Sequence, residues 1–183
     1  QSDVAWQALR GSGAFTGQAP YGAMRVLANL YPEPVHVIVR ADGPQQIADL
    51  RGKRINLGLP GSASRDTAFA VLAAHDLQTE DFAEVTSLDL QSALDALRDG
   101  KIDALVQVIG LPADAIRNAS ESLSIRMLPL EPEAVQFLER NRQGTTAFNI
   151  PVGSYPQQDS AIASLAVSSL LVSDAALSAG EVE

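Results

Sequence analysis

Apolar residues recur along this chain at two spacings, and their alternation predicts the architecture. Ala68, Val71 and Leu72 fall at helical spacing after a turn at Pro60-Gly61-Ser62. Leu90, Ala93, Leu94 and Leu97 line one face of a second helix, capped by Asp89 and ended by Gly100. Val135, Phe137 and Leu138 belong to a third, opened by Glu131-Pro132-Glu133, with proline near its first position and acids in its first turn, as the helix dipole favours. Between these helices lie short, nearly continuous apolar runs, the pattern of buried strands. They span 24–31, 35–40, 54–59, 102–109 and 125–130, with 85–88 a weaker case.

Caps and breakers set the remaining boundaries. Ser2 or Asp3 caps a short helix over 4–10 that stops at Gly11-Ser12-Gly13, and a helix capped so near residue 1 implies a strand before it. Tyr31-Pro32-Glu33-Pro34 predicts a rigid bend between two strands, which suits a hinge or an ordinary β-connection equally. Asp49 to Lys53 reads as a short helix closed by Gly52, and Gly110-Leu111-Pro112 opens a helix over 113–119. The stretch 145–152 is extended, 162–172 is a long strand despite its serines, and 175–183 reads as the start of a helix. Strands alternating with helices predict an α/β chain, a mostly parallel sheet flanked by helices. Such sheets bind ligands at the C-terminal ends of their strands, here Pro60 to Ser64 and Gly110 to Pro112.

Composition narrows the class. The 183 residues suffice for one domain or two small lobes, and 46% hydrophobic against 19% charged is a globular balance. A net charge of −9 with no basic cluster argues against nucleic acid and anionic membrane surfaces as partners. The absence of cysteine excludes thiolate catalysis, cysteine zinc sites and disulfides. His36 and His75 read as structural, and no cluster of metal-ligating residues or cofactor motif is present. No apolar run approaches the roughly 20 residues of a membrane span. With neither a signal peptide nor an initiator Met, the sequence is expected to be a processed or truncated piece.

The candidate chemistry lies in Leu57-Gly58-Leu59-Pro60-Gly61-Ser62-Ala63-Ser64-Arg65-Asp66-Thr67. Its helix N-terminus offers unpaired amides and a partial positive charge, and Ser62, Ser64 and Arg65 stand beside it, a set suited to a carboxylate. No Gly-Lys-Ser/Thr follows, so the turn is not a P-loop, and it is not GxGxxG. Gln107, polar near the end of a buried strand, points to a ligand or satisfies backbone groups. No Ser-His-Asp set or catalytic acid pair is evident; Asp99 and Asp103 flank a turn and read as solvated, so the chain is not expected to be an enzyme.

Several pieces, in order, resemble one family. They are Gln1-Ser2-Asp3-Val4-Ala5, Leu30-Tyr31-Pro32-Glu33-Pro34-Val35-His36, Ala48-Asp49-Leu50-Arg51-Gly52-Lys53-Arg54, Pro60-Gly61-Ser62-Ala63-Ser64-Arg65, the stretch from Ala93 to Ala104, Gly110-Leu111-Pro112, and Ile150-Pro151-Val152-Gly153-Ser154-Tyr155-Pro156. Together they span nearly the whole chain. They are similar to the TAXI family of solute-binding proteins, extracytoplasmic receptors of one branch of TRAP transporters. The resemblance implies a type II periplasmic-binding-protein fold of two lobes, with a small carboxylate-bearing, glutamate-like ligand clamped between them and passed to a TRAP-type membrane permease. Carried over residue by residue, Gln1, Ser2 and Asp3 line the cleft from the first lobe, Ser62, Ser64 and Arg65 from the second, with Gln107 and Tyr155 as further candidates.

The family's glycine-rich segment and two strands ahead of Gln1, and helices beyond Glu183, have no counterpart in this sequence. The first lobe is then incomplete, whether the chain is a fragment or a reduced relative. Residues 1–40 would be the remnant of lobe I with a hinge strand, 41–149 lobe II, and 150–183 the crossover back, with closure about 31–40 and 150–172. An incomplete lobe exposes apolar surface, which makes self-association an expectation. The rival reading is the ligand-sensing domain of a membrane signalling protein such as a sensor kinase.

Overall fold

The computed structural model describes residues 1–178 and 180. Its elements are α1 (Ser2–Arg10), β1 (Met24–Arg40), β2 (Arg54–Asn56), α2 (Ala63–Ala73), β3 (Glu84–Thr86), α3 (Leu90–Arg98), β4 (Ala104–Val108), α4 (Asp114–Ser122), β5 (Ile125–Met127), α5 (Pro132–Asn141), β6 (Thr145–Ile150) and β7 (Ile162–Asp174). The segment expected as a short helix near Asp49 is a 3-10 turn over Ile47–Leu50. Of the helix expected over 175–183, residues 179 and 181–183 lie outside the described residues.

The strands run in the order β3-β2-β4-β1-β7-β6, with β5 also paired to β1. The expected mostly parallel sheet is corrected to a mixed one. Only β2 with β3 and β2 with β4 are parallel, while β1 pairs antiparallel with β4, β5 and β7, and β6 with β7. Parallel pairing needs a crossover, and only the β2–α2–β3–α3–β4 run supplies helices for it. β6 and β7 are instead joined by a loop and fold back on one another.

The bend expected at Tyr31-Pro32-Glu33-Pro34 is also corrected: β1 runs unbroken through both prolines. A residue before proline is held in the extended region, and proline's own fixed φ is compatible with a strand, so X-Pro-X-Pro extends the chain here. The missing amides cost little because the strand changes partner at this point. Residues up to Pro34 pair with β7, and from Val35 onward with β4. The outer part of this β1–β7 ribbon carries much of the exposed apolar surface, with Val26, Leu30, Leu171 and Val172 about half exposed.

Two cores sandwich the sheet. Val35, Val37 and Val39 of β1 pack with Ala68, Val71 and Leu72 of α2 and Val135 and Leu138 of α5. On the opposite face Ile38 packs with Leu94 and Leu97 of α3 and Ile116 of α4. Each fully buried aliphatic side chain contributes about 1.5–3 kcal/mol. In the inner half of β1 the odd positions therefore face α2 and the even positions face α3, an alternation that places the residues of the site.

Asp103 is not solvated as expected. It accepts from the Arg54 amide at 2.9 Å and from its guanidinium at 3.0 and 2.7 Å, locking the start of β2 to β4. Both histidines are structural. His36 is buried, its Nδ1 lying 2.9 Å from the Pro34 carbonyl, and the His75 Nδ1 lies 2.7 Å from the Val71 carbonyl while its Nε2 meets Glu131.

Candidate functional site

The ends of β2 and β4 and the start of α2 meet at one edge of the sheet. Ser62 is the N-cap of α2, its hydroxyl accepting from the Arg65 amide at 3.2 Å. The helix thus begins one position before Ser64, because Ser62 has the extended backbone a cap requires. Ala63 and Ser64 lie in the first turn, where amides have no intrahelical acceptor and the helix dipole is positive.

Ser64 and Gln107 are tied to each other. The Ser64 hydroxyl donates to the Val108 carbonyl at 3.2 Å, and the Gln107 side-chain amide donates to the same hydroxyl at 3.3 Å and to Val108 O at 3.2 Å. Gln107 thus satisfies backbone here while also fixing the serine, and both sit at the C-terminal end of β4.

Arg65 is fixed by neutral acceptors. Its guanidinium donates to the Gly58 carbonyl at 2.7 Å and the Ser87 hydroxyl at 2.9 Å, and it lies 5.1 Å over the Phe69 ring. Gly58 has φ of 84°, a conformation costly for other residues, which turns its carbonyl toward Arg65. None of the ion pairs among the described residues involves Arg65. An oriented cation without a carboxylate partner, beside a helix N-terminus, is a place where an anion gains charge-assisted hydrogen bonds.

Two residues supporting this arrangement were not among the sequence candidates. Buried Asn56 accepts from the Leu88 amide at 2.7 Å and donates to the Leu88 carbonyl at 3.2 Å, which fixes the loop that presents Ser87 to Arg65. An asparagine inside an apolar strand was the available signal, since a buried amide must have partners.

The other candidates lie elsewhere. The Ser2 hydroxyl donates to the Gly144 carbonyl at 2.5 Å and accepts from the Ser168 amide at 2.9 Å, bridging the open end of the β6–β7 ladder. The Asp3 carboxylate, 1% exposed, accepts from Thr67 Oγ1 and from Arg142, each at 2.9 Å. It joins α1 to α2 and to the end of α5. Gln1 carries the N-cap position of α1, and its Oε1 is buried without a hydrogen-bond partner. Tyr155 lies on the face toward α3, where its hydroxyl is 2.8 Å from His36 Nε2. Burial lowers the His36 pKa to about 4 and raises that of Tyr155 to about 12, so the pair is neutral, with the tyrosine donating to the imidazole. The structure therefore brings Ser62, Ser64, Arg65 and Gln107 together, sets Gln1, Ser2 and Asp3 at the start of α1, and puts Tyr155 across the sheet.

Comparison with solved structures fits this frame. The periplasmic aliphatic sulphonate binding protein SsuA from Escherichia coli superimposes with a TM-score of 0.52 at 17% identity, covering 91% of this chain and 45% of that one. The alkanesulfonate-binding protein SsuA from Xanthomonas axonopodis pv. citri, bound to MOPS, gives 0.47 at 19% identity, covering 79% and 63%. A Gly-to-Ala mutant of arginine-bound ArgBP from T. maritima gives 0.39 at 14%, covering 80% and 52%. The fold is thus part of the type II periplasmic-binding-protein fold, and the chain spans about half the length of the E. coli protein. By its sequence the chain belongs to the NMT1-like family, whose model matches residues 1–182.

Proposed function

We propose that this chain is part of an extracytoplasmic solute-binding protein that holds a small organic anion at the N-terminus of α2 and presents it to a membrane transporter. The observation that carries this reading is Arg65, oriented by Gly58 and Ser87 yet unpaired with any carboxylate among the described residues. The first-turn amides of Ala63 and Ser64 supply further donors. Family membership and the fold support the class. The resemblance to TAXI receptors supports a carboxylate ligand, a TRAP-type permease and a periplasmic or extracytoplasmic location. The anion-binding neighbours, named for sulfonates, share the chemistry of an anionic headgroup and widen the ligand class to carboxylates and sulfonates.

β1 and β7 are the two long strands along which a second lobe would be joined. A ligand touching both lobes favours the closed state because only that state makes both sets of contacts.

The test is isothermal titration of the chain, and of the full-length gene product that contains it, with glutamate, glutamine, small dicarboxylates and short alkanesulfonates. Arg65→Ala is expected to weaken the binding ligand by about 1.5–3 kcal/mol, the range for a hydrogen bond to a charged group. Unchanged affinity in that variant removes the α2 N-terminus as the anion site.

A further inference from the structure

The side of β1 that faces α2 carries an acceptor that the anion site does not use. Glu33 is opposite Val167, a member of the core on the α2 face, and lies two residues before Val35, on the face that Val35, Val37 and Val39 share. Its Oε2 is buried and has no hydrogen-bond partner, and none of the ion pairs among the described residues includes it. An unpartnered buried carboxylate oxygen is costly, and a native structure retains one where something else satisfies it.

Its place in the sheet is next to the anion site. Val35 pairs with Val108, and the Ile109 amide donates to the Pro34 carbonyl at 3.3 Å, so continuing this antiparallel register by two residues sets Glu33 opposite Gly110. Val108 is the residue whose carbonyl holds Ser64. Within three residues the chain thus passes from Val108 at the end of β4, which holds the serine at the start of α2, to Gly110 across from Glu33.

Tyr31 completes the wall. A Cβ on Gly110 would lie 3.0 and 3.1 Å from Cε2 and Cδ2 of Tyr31, so this side of the ring is packed against the glycine. Gly110 has no positive φ, and what it supplies is therefore space for this ring. The ring remains about half exposed, which leaves part of its surface free for contact. A carboxylate beside an aromatic surface is the usual chemistry for an ammonium group.

We infer that Glu33 and the Tyr31 ring form a cation-accepting pole beside the anion-binding α2 N-terminus, so that the ligand is a small zwitterion carrying an ammonium group. This rests on the anion reading of Arg65 and sharpens it. The ligand's anionic group binds at Ser64 and Arg65, and its ammonium donates to the Glu33 oxygen.

Matched pairs of probes test this by titration into the full-length protein: glutamate against glutarate, and taurine against ethanesulfonate. Each pair differs by one ammonium group. The wild type is expected to bind at least one zwitterion about tenfold or more tightly than its partner, the scale of one charged hydrogen bond. Glu33→Gln should erase that preference while leaving the affinity for the anion-only partner equal or higher, and Gly110→Ala, which displaces the ring, should reduce it. Melting curves without ligand show whether each variant is folded, and should Glu33→Gln not fold, the wild-type preference decides alone. Equal binding within both pairs, abolished by Arg65→Ala, overturns the cation pole and leaves the anion site standing. No binding of any of the four overturns the anion reading and this inference with it.

Discussion

The Asp3 carboxylate and the Arg142 guanidinium, 139 positions apart in sequence, meet at 2.9 Å with the carboxylate 1% exposed. A third partner, Thr67 of α2, donates to the same oxygen at 2.9 Å. This contact holds the first helix against the body of the domain. Removing one member of such a pair leaves a buried charge uncompensated. Arg142→Met is expected to cost about 3–5 kcal/mol, and Asp3→Ala somewhat less because the arginine keeps partial access to solvent. The double variant should lose less than the sum, and urea denaturation of the four proteins measures the difference. Strict additivity would show that the pair is not coupled.

Gly144 is closed to any side chain. Its φ is 85°, and a Cβ there would lie 2.6 Å from the Asp3 amide and 2.7 Å from the Ser2 carbonyl carbon. These are backbone atoms, which cannot turn aside as a flexible side chain would. Gly144→Ala should therefore destabilise by more than about 2 kcal/mol and release α1. Faster hydrogen exchange in residues 2–10 than in α3 of the variant would register that release; an unchanged melting temperature would contradict it.

The His36–Tyr155 pair predicts a pH dependence of stability. Burial holds the folded His36 pKa at about 4, against about 6.5 in an unfolded chain. Between those values the unfolded state binds the proton and the folded state does not, so stability is complete above about pH 6.5 and falls as pH drops toward 4. The loss reaches about 3 kcal/mol at most. Denaturation midpoints between about pH 7 and pH 5 should slope downward in the wild type and be flatter in His36→Gln, whatever the variant's own cost. Tyr155→Phe leaves His36 Nε2 without its donor and should cost about 1–3 kcal/mol.

Asp103 predicts a second, more acidic transition. Hydrogen bonds from Arg54 hold its pKa below the usual carboxylate range. Its contribution is therefore present at neutral pH and is lost as pH falls through that lowered value. Below about pH 4 the wild type should lose more stability than Asp103→Asn, measured by the same denaturation series.

The sites differ in how far they could be read before folding. Ser62, Ser64 and Arg65 were legible because a strand, a Pro-Gly turn and a capped helix are local in sequence and carry the donors within four residues. Asn56 and Ser87 were not, since their roles depend on the loop after β3 reaching the start of α2, a contact across 22 positions between Ser87 and Arg65. Tyr155 was singled out only through the family resemblance, and Asp3 through that resemblance and as a possible helix cap; their partners were not legible. His36 is 119 positions from Tyr155, and Arg142 is 139 from Asp3.

By itself the sequence determined the α/β class, the helices at Leu90–Arg98 and Pro132–Asn141 and the capped turn that offers an anion site, because apolar period, caps and breakers act over a few residues. Tertiary structure alone decided the mixed pairing of the sheet, the unbroken passage of β1 through two prolines and the side of the strand on which Glu33 and Tyr31 fall. Pairing direction and register depend on which distant segments cover which face, and no local pattern encodes that choice.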